Sequence, residues 1–242
     1  MESDGGTRPR PRIESLSDLV FGLALSIGAF ALVSNPPVTD HEFYYDVGTF
    51  AFSFVVLISI WLRYTRIMSV LPVETRGTIL LNGVLLFTVA LEPFIFNILR
   101  SINTSNPPST PLYEAASSFF GLDVGGMMLI MAIFTLALAD EEIHLVPRSM
   151  LRQLREEAVT WGVAAGLFLI SAIPAFGRIN AGGVVISGLS LRYLLWFIAI
   201  VFSWLRSGIR ESLGPPRHQA EHAALGASLN SMPMGIRNSW GS

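Results

Sequence analysis

Arg12-Ile13-Glu14-Ser15-Leu16-Ser17-Asp18 runs without a break into Leu19–Val33, LVFGLALSIGAFALV, which carries no charged residue. An Arg, a Ser and an Asp thus stand at the mouth of an apolar helix. That placement is unfavourable unless the three groups bond to one another or to neighbouring helices. The stretch reads as a membrane-spanning first helix whose polar head is a working part. Alternatively, Ser17 or Asp18 caps the helix, where an acid beside the positive end is favoured. No small-residue cleavage site follows, which reads against a removed signal peptide.

The rest of the chain extends the pattern. Of 242 residues, 51% are hydrophobic and 14% charged, and the mean hydropathy is +0.53. A soluble domain usually carries about 25% charged residues. The apolar residues gather into six blocks, at 16–34, 47–68, 77–98, 118–139, 158–176 and 191–209. Each approaches the ~20 residues that cross a hydrocarbon core, and none alternates with period two. The expectation is an all-α integral membrane protein with six transmembrane helices. Pro174 and Gly177 blur the end of the fifth block.

All 16 basic residues are Arg. With both termini cytoplasmic, 13 of the 16 fall inside, and only Arg100, Arg178 and Arg192 fall outside. This satisfies the positive-inside rule and favours an even number of spans. Residues 1–11 and 211–242 are polar and expected to be poorly ordered, leaving 12–210 as the membrane domain. The charged segment Asp140–Glu157 is expected to be a helical extension with i,i+4 and i,i+3 charge pairs, serving as a regulatory handle or, more simply, as a solvated linker.

Several chemistries are excluded. Cysteine is absent, so there are no disulfides and no thiolate nucleophile. No zinc-protease, P-loop or nucleophile-elbow pattern occurs. His218 and His222 are spaced i,i+4 in a polar tail, which reads as a chance pair and not a metal site. Asp18 and Glu92 lie near opposite ends of their helices, so they do not pair for hydrolysis. No enzyme activity, metal, cofactor or nucleic-acid partner is expected. Glu92-Pro93-Phe94 reads as a proline kink or as part of an outer vestibule. There is no T-V-G-Y-G loop and hence no carbonyl-lined potassium filter. On the first helix, Leu23, Ile27 and Phe30 fall at i, i+4 and i+7, with Ser26 and Gly22 beside them. Ordinary helix packing produces such a stripe, and so does a pore constriction of apolar rings. Trp61 and Tyr64 read as interface anchors; Tyr64, with Asn82, also reads as a partner of the polar head.

These motifs, taken in order, resemble the endolysosomal potassium channel family and its small six-helix prokaryotic relatives. The family carries Arg-x-x-x-Phe-Ser-Asp at the start of its first helix; here Arg12, Leu16, Ser17 and Asp18 stand in that pattern. The family's second helix ends in Trp-x-x-His, and here Trp61-Leu62-Arg63-Tyr64 is followed by Arg66. Leu80-Leu81-Asn82 and Pro93-Phe94 match the start and end of its third helix. The likeness covers about residues 8–210.

The resemblance implies a homotetramer in which the first helix lines a central path for monovalent cations, favouring potassium. Leu23 would be the main constriction, with Ile27 and Phe30 above it and Ser26 as the nearby hydroxyl. Arg12, Ser17, Asp18, Tyr64 and Asn82 would form the network bracing the first helix against the second and third. Leu16 replaces an aromatic wedge. Tyr64 replaces a histidine, and a phenol does not titrate near neutral pH. Both changes bear on gating and selectivity. A prokaryotic plasma membrane is the implied location. The competing readings are a small secondary transporter of a cation or solute, and a structural subunit supported by the lack of strongly polar groups mid-membrane. The halves of the chain share no motif, which weighs against an internally repeated transporter.

Overall fold

The computed structural model describes residues 12–34, 36–70, 76–101, 110–140, 148–178 and 191–213. The side chains of 12–14, 110, 148–149, 177–178 and 207–213 fall outside that description. Among the described residues there are seven helices and no strand: α1 Arg12–Ser34, α2 Asp40–Met68, α3 Arg76–Arg100, α4 Thr110–Leu138, α5 Arg148–Ser171, α6 Pro174–Arg178 and α7 Leu191–Leu213. The chain divides into two units, Met1–Ser203 and Trp204–Ser242. In the second, only the end of α7 is described.

Four helices are long and apolar enough to cross a membrane: Ser15–Ser34, Asp40–Met68, Arg76–Arg100 and Pro111–Leu138. Helices also stand where the fifth and sixth spans were expected. However, α5 carries Arg155, Glu156 and Glu157 within its first half, and neither α5 nor α7 is among those four.

Hydropathy located the helices but misplaced their starts. Thr39 caps α2, its side chain accepting from the Glu42 amide at 3.2 Å. The acidic segment after it, expected to be loop, is therefore helical. α5 begins at Arg148, and Arg152 pairs with Glu156 at 3.0 Å on its exposed face. From Arg148 on, this is the charged helical extension expected there, and 141–147 lie outside the described residues. α1 begins at Arg12, so Ser17 and Asp18 lie in its second turn and do not cap it. Nothing in Arg12-Ile13-Glu14 breaks a helix, whereas Pro11 just before it suits a helix start. α6 opens on Pro174 for the same reason. α3 continues through Pro93.

The core lies where α4 meets its neighbours. Phe120, Phe168 and Phe52 gather round Trp196, with centroids 4.7, 6.1 and 6.3 Å from it. The Trp196 indole donates to Ser171 Oγ at 2.7 Å. α4 and α5 touch through Gly121 and Gly125, a small-x-x-x-small pair. A Cβ on Gly121 would lie 3.0 Å from the Phe168 carbonyl, and one on Gly125 2.9 Å from Leu169 Cγ and 3.1 Å from its backbone nitrogen. Gly125→Val is therefore expected to force the two helices apart. The expected loss of stability is about 1–3 kcal/mol, read as a lowered melting temperature in detergent; an unchanged melting point would rule out tight α4–α5 contact.

Candidate functional site

α1 packs on α2 and α3 by one narrow stripe. Ser17, Phe21, Ala24 and Gly28 are buried, at spacings of four, three and four that hold one helix face. Phe21 also meets the Tyr64 ring, centroids 5.9 Å apart. The opposite face is open in the single subunit. Leu16, Leu19, Leu23, Ile27, Phe30 and Val33 are all exposed, Leu23 by 56% and Phe30 by 68%. Leu23, Ser26, Ile27 and Phe30 thus share an unpartnered face. The Ser26 hydroxyl donates to Gly22 O at 2.7 Å.

At the C-terminal end of α2, the polar head of α1 meets Tyr64 and Trp61. Ser17 Oγ and Tyr64 Oη lie 2.6 Å apart. The Trp61 indole donates to Asp18 Oδ1 at 3.0 Å. Tyr64 is buried, so it is a core residue and not an interface anchor. Asn82 is buried as well, and its Oδ1 has no hydrogen-bond partner among the described residues. The Arg12 side chain lies outside the described residues. Trp61 is the partner that the sequence reading assigned to the interface instead of to Asp18. Tyr64→Phe removes one buried hydrogen bond and is expected to lower stability by about 1 kcal/mol. The readout is thermal unfolding of the purified variant beside wild type.

Three buried arginines brace the helix ends. Arg63 on α2 forms an ion pair with Glu157, donates to Thr135 Oγ1 at 3.0 Å and lies 5.7 Å from the Trp161 ring centroid. Arg100 pairs with Asp46 at 3.1 Å, tying α3 to α2. Arg192 on α7 donates to the carbonyls of Ser171, Ile173 and Glu114 and to Ser117 Oγ. Sequence reading used Arg100 and Arg192 as loop charges marking topology. Both are almost wholly buried and engaged within the bundle.

A further polar group sits deeper. Glu92 is buried and accepts from Ser53 Oγ, which removes it from any solvent-facing vestibule. Asp123 is also buried. It lies near the middle of α4, because that helix begins at Thr110 and not at the start of the apolar block. The expected lack of strongly polar groups mid-membrane is thereby corrected.

Comparison with known proteins bears on this arrangement. The family model described as "Endosomal/lysosomal potassium channel TMEM175" matches residues 12–93, which span α1, α2 and most of α3. A crystal structure of a variant of the potassium channel MtTMEM175, in complex with a nanobody–MBP fusion protein, is similar to this chain with a TM-score of 0.55 and 18% identity. The match covers 88% of this chain and 99% of that one. At that identity the likeness shows the fold. No curated protein sequence matches the chain. The resemblance to the endolysosomal potassium channel family is borne out by the family match over α1–α3 and by the fold.

Proposed function

We propose that the chain is one subunit of a homotetrameric, potassium-favouring cation channel whose path is lined by α1. The observation that carries this reading is the one-sided packing of α1. Its buried stripe fixes the helix to α2 and α3, while Leu23, Ile27 and Phe30 stay uncovered. A span apolar all round and packed on one side only needs lipid, another subunit or a wetted path against its other side. Four-fold symmetry would set four copies of Leu23 around one axis. Such a ring holds back ions by dewetting when narrow and passes them when wide enough to stay wet. With no fixed charge in the ring, selectivity would follow the ease of dehydration, which favours potassium over sodium modestly. The family match over α1–α3 supports this assignment.

In this reading α5 and α7 are the fifth and sixth spans, both termini are cytoplasmic, and the membrane is a prokaryotic plasma membrane. Because Arg100 and Arg192 are buried within the bundle, Arg178 is the one remaining outer arginine of the three. The charge asymmetry of the loops is then steeper than a count along the chain implies. The inner network of Ser17, Asp18, Tyr64, Trp61 and Asn82 would hold α1 at a set tilt, with Arg12 as its cationic member.

The test is reversal potential in a planar bilayer under asymmetric potassium and sodium. A current reversing near the potassium equilibrium potential supports the channel. Saturable, turnover-limited flux would instead favour coupled transport by alternating access, a reading that the buried acids on α3 and α4 also fit.

A further inference from the structure

Ser53 on α2, Glu92 on α3 and Asp123 on α4 form a polar cluster inside the bundle. Ser53 is 5%, Glu92 2% and Asp123 6% exposed. Ser53 and Asp123 each lie near the middle of a long helix, about 20 Å from either end at 1.5 Å per residue. Glu92 Oε1 takes the Ser53 hydroxyl, and the Asp123 carboxyl lies within electrostatic reach of Glu92. Asp123 Oδ2 is buried with no hydrogen-bond partner among the described residues.

The charged groups on the surrounding helices are committed elsewhere. Outward, Asp46 and Arg100 pair with each other. Inward, Arg63 pairs with Glu157 and Asp18 accepts from Trp61. On α5 the exposed Arg152 pairs with Glu156, and on α7 Arg192 is held by carbonyls at the end of α5.

Two carboxylates in an apolar bundle, with the Ser53 hydroxyl as their polar company among the described residues, would carry a desolvation penalty and a mutual repulsion that no described cation offsets. Such acids stay buried only where a proton neutralises them or a cation compensates their charge. We propose that Ser53, Glu92 and Asp123 form a binding site for one exchangeable monovalent cation, a sodium ion or a proton, inside each subunit. The donors are carboxylate and hydroxyl oxygens, which suit hard cations. Among the described residues no group of three His, Cys, Asp or Glu side chains assembles anywhere, which is fewer ligands than a structural zinc site needs. The site involves no residue of α1, so it stands whether or not α1 lines a path. Its occupant would tie α2, α3 and α4 together at mid-bundle.

A ligand that binds only the folded protein raises its melting temperature with concentration. The test is thermal unfolding of purified wild type and the E92Q/D123N double variant, in choline chloride against added NaCl and across a pH series. Neutral amides keep the shape and remove the charge. If sodium occupies the site, wild type gains about 1.4 kcal/mol for each tenfold rise in sodium above its dissociation constant, a shift of about 3–6 °C. The double variant gains none. If a proton occupies it, wild type in choline loses stability as the pH rises from the acid range through neutrality, and the double variant loses distinctly less. A KCl series separates stabilisation through the α1 path, which both proteins would share. Should the double variant not fold, D123N and E92Q singly give the same comparison. Identical sodium and pH responses in wild type and variants would overturn the proposal.

Discussion

Leu23→Ala is expected to raise single-channel conductance by about tenfold, equivalent to lowering the permeation barrier by about 1.4 kcal/mol. One substitution retracts four side chains from the same ring, and a wider apolar constriction stays wet more of the time. The subunit should tolerate it. Leu23 is exposed, and the stripe that packs α1 is made of other residues, Ser17, Phe21, Ala24 and Gly28. Alanine is also the best helix former. Stability should therefore change by no more than about 0.5 kcal/mol. Phe21→Ala is the informative contrast. It empties the buried side of the same helix and should lower stability by about 3–5 kcal/mol. Single-channel recording and gel filtration of both variants separate the two faces. Unchanged conductance in Leu23→Ala channels of native size would sink the pore assignment.

Much of this was readable from the chain, and the reason lies in the membrane as solvent. Continuous apolar runs must be helical there, so the positions of α1 to α4 follow from hydropathy. Helix starts did not follow. The hydropathy signal marks hydrocarbon thickness, whereas a helix continues through polar residues if capped and paired. Thr39 supplies a cap for α2, and Arg152 with Glu156 a pair for α5. Starting α4 late put Asp123 near a helix end, and its mid-bundle position went unseen. The matching signal was an uncompensated acid inside an apolar run, the default mark of function within a membrane.

The stripe of α1 shows the same division. The i, i+4, i+7 spacing put Leu23, Ile27 and Phe30 on one face, but every face of so apolar a helix looks alike in sequence. What singles out that face is the packing of the opposite one, through Phe21 against Tyr64 and Gly28 close to Phe50. Those contacts depend on α2, more than forty residues from Phe21 in the case of Tyr64, and no local pattern encodes them. Trp61 was assigned to the interface for the same reason: its role appears only once Asp18 is seen beside it.

Arg192→Ala should be among the most damaging single changes in the bundle. The Arg192 guanidinium donates through Nε to Ser171 O at 2.8 Å, through Nη2 to Ile173 O at 3.3 Å, and through Nη1 to Glu114 O at 3.3 Å and to Ser117 Oγ. Ser171 and Ile173 lie at the end of α5, where helix carbonyls lack intrahelical donors. One planar fork thus satisfies the end of α5 and joins it to α4 and α7. Alanine would take the donor from Ser171 O and from Ser117 Oγ in a dry site and leave a void around them, while Glu114 O and Ile173 O keep bonds from Ser117 Oγ and the Phe176 amide. Each orphaned group carries about 1–3 kcal/mol, so a total loss of about 3–5 kcal/mol is expected, a large share of a typical stability of about 5–15 kcal/mol. Lysine keeps the charge without the fork and should recover only part. The Ser171 side chain also holds the Trp196 indole at 2.7 Å, so disorder there would reach the aromatic core, and tryptophan fluorescence should report it. Arg152→Ala, on an exposed arginine of α5, is the control and should shift the melting temperature little. Equal melting temperatures for the Arg192 and Arg152 variants would show that the α4–α5–α7 junction is held by apolar packing alone.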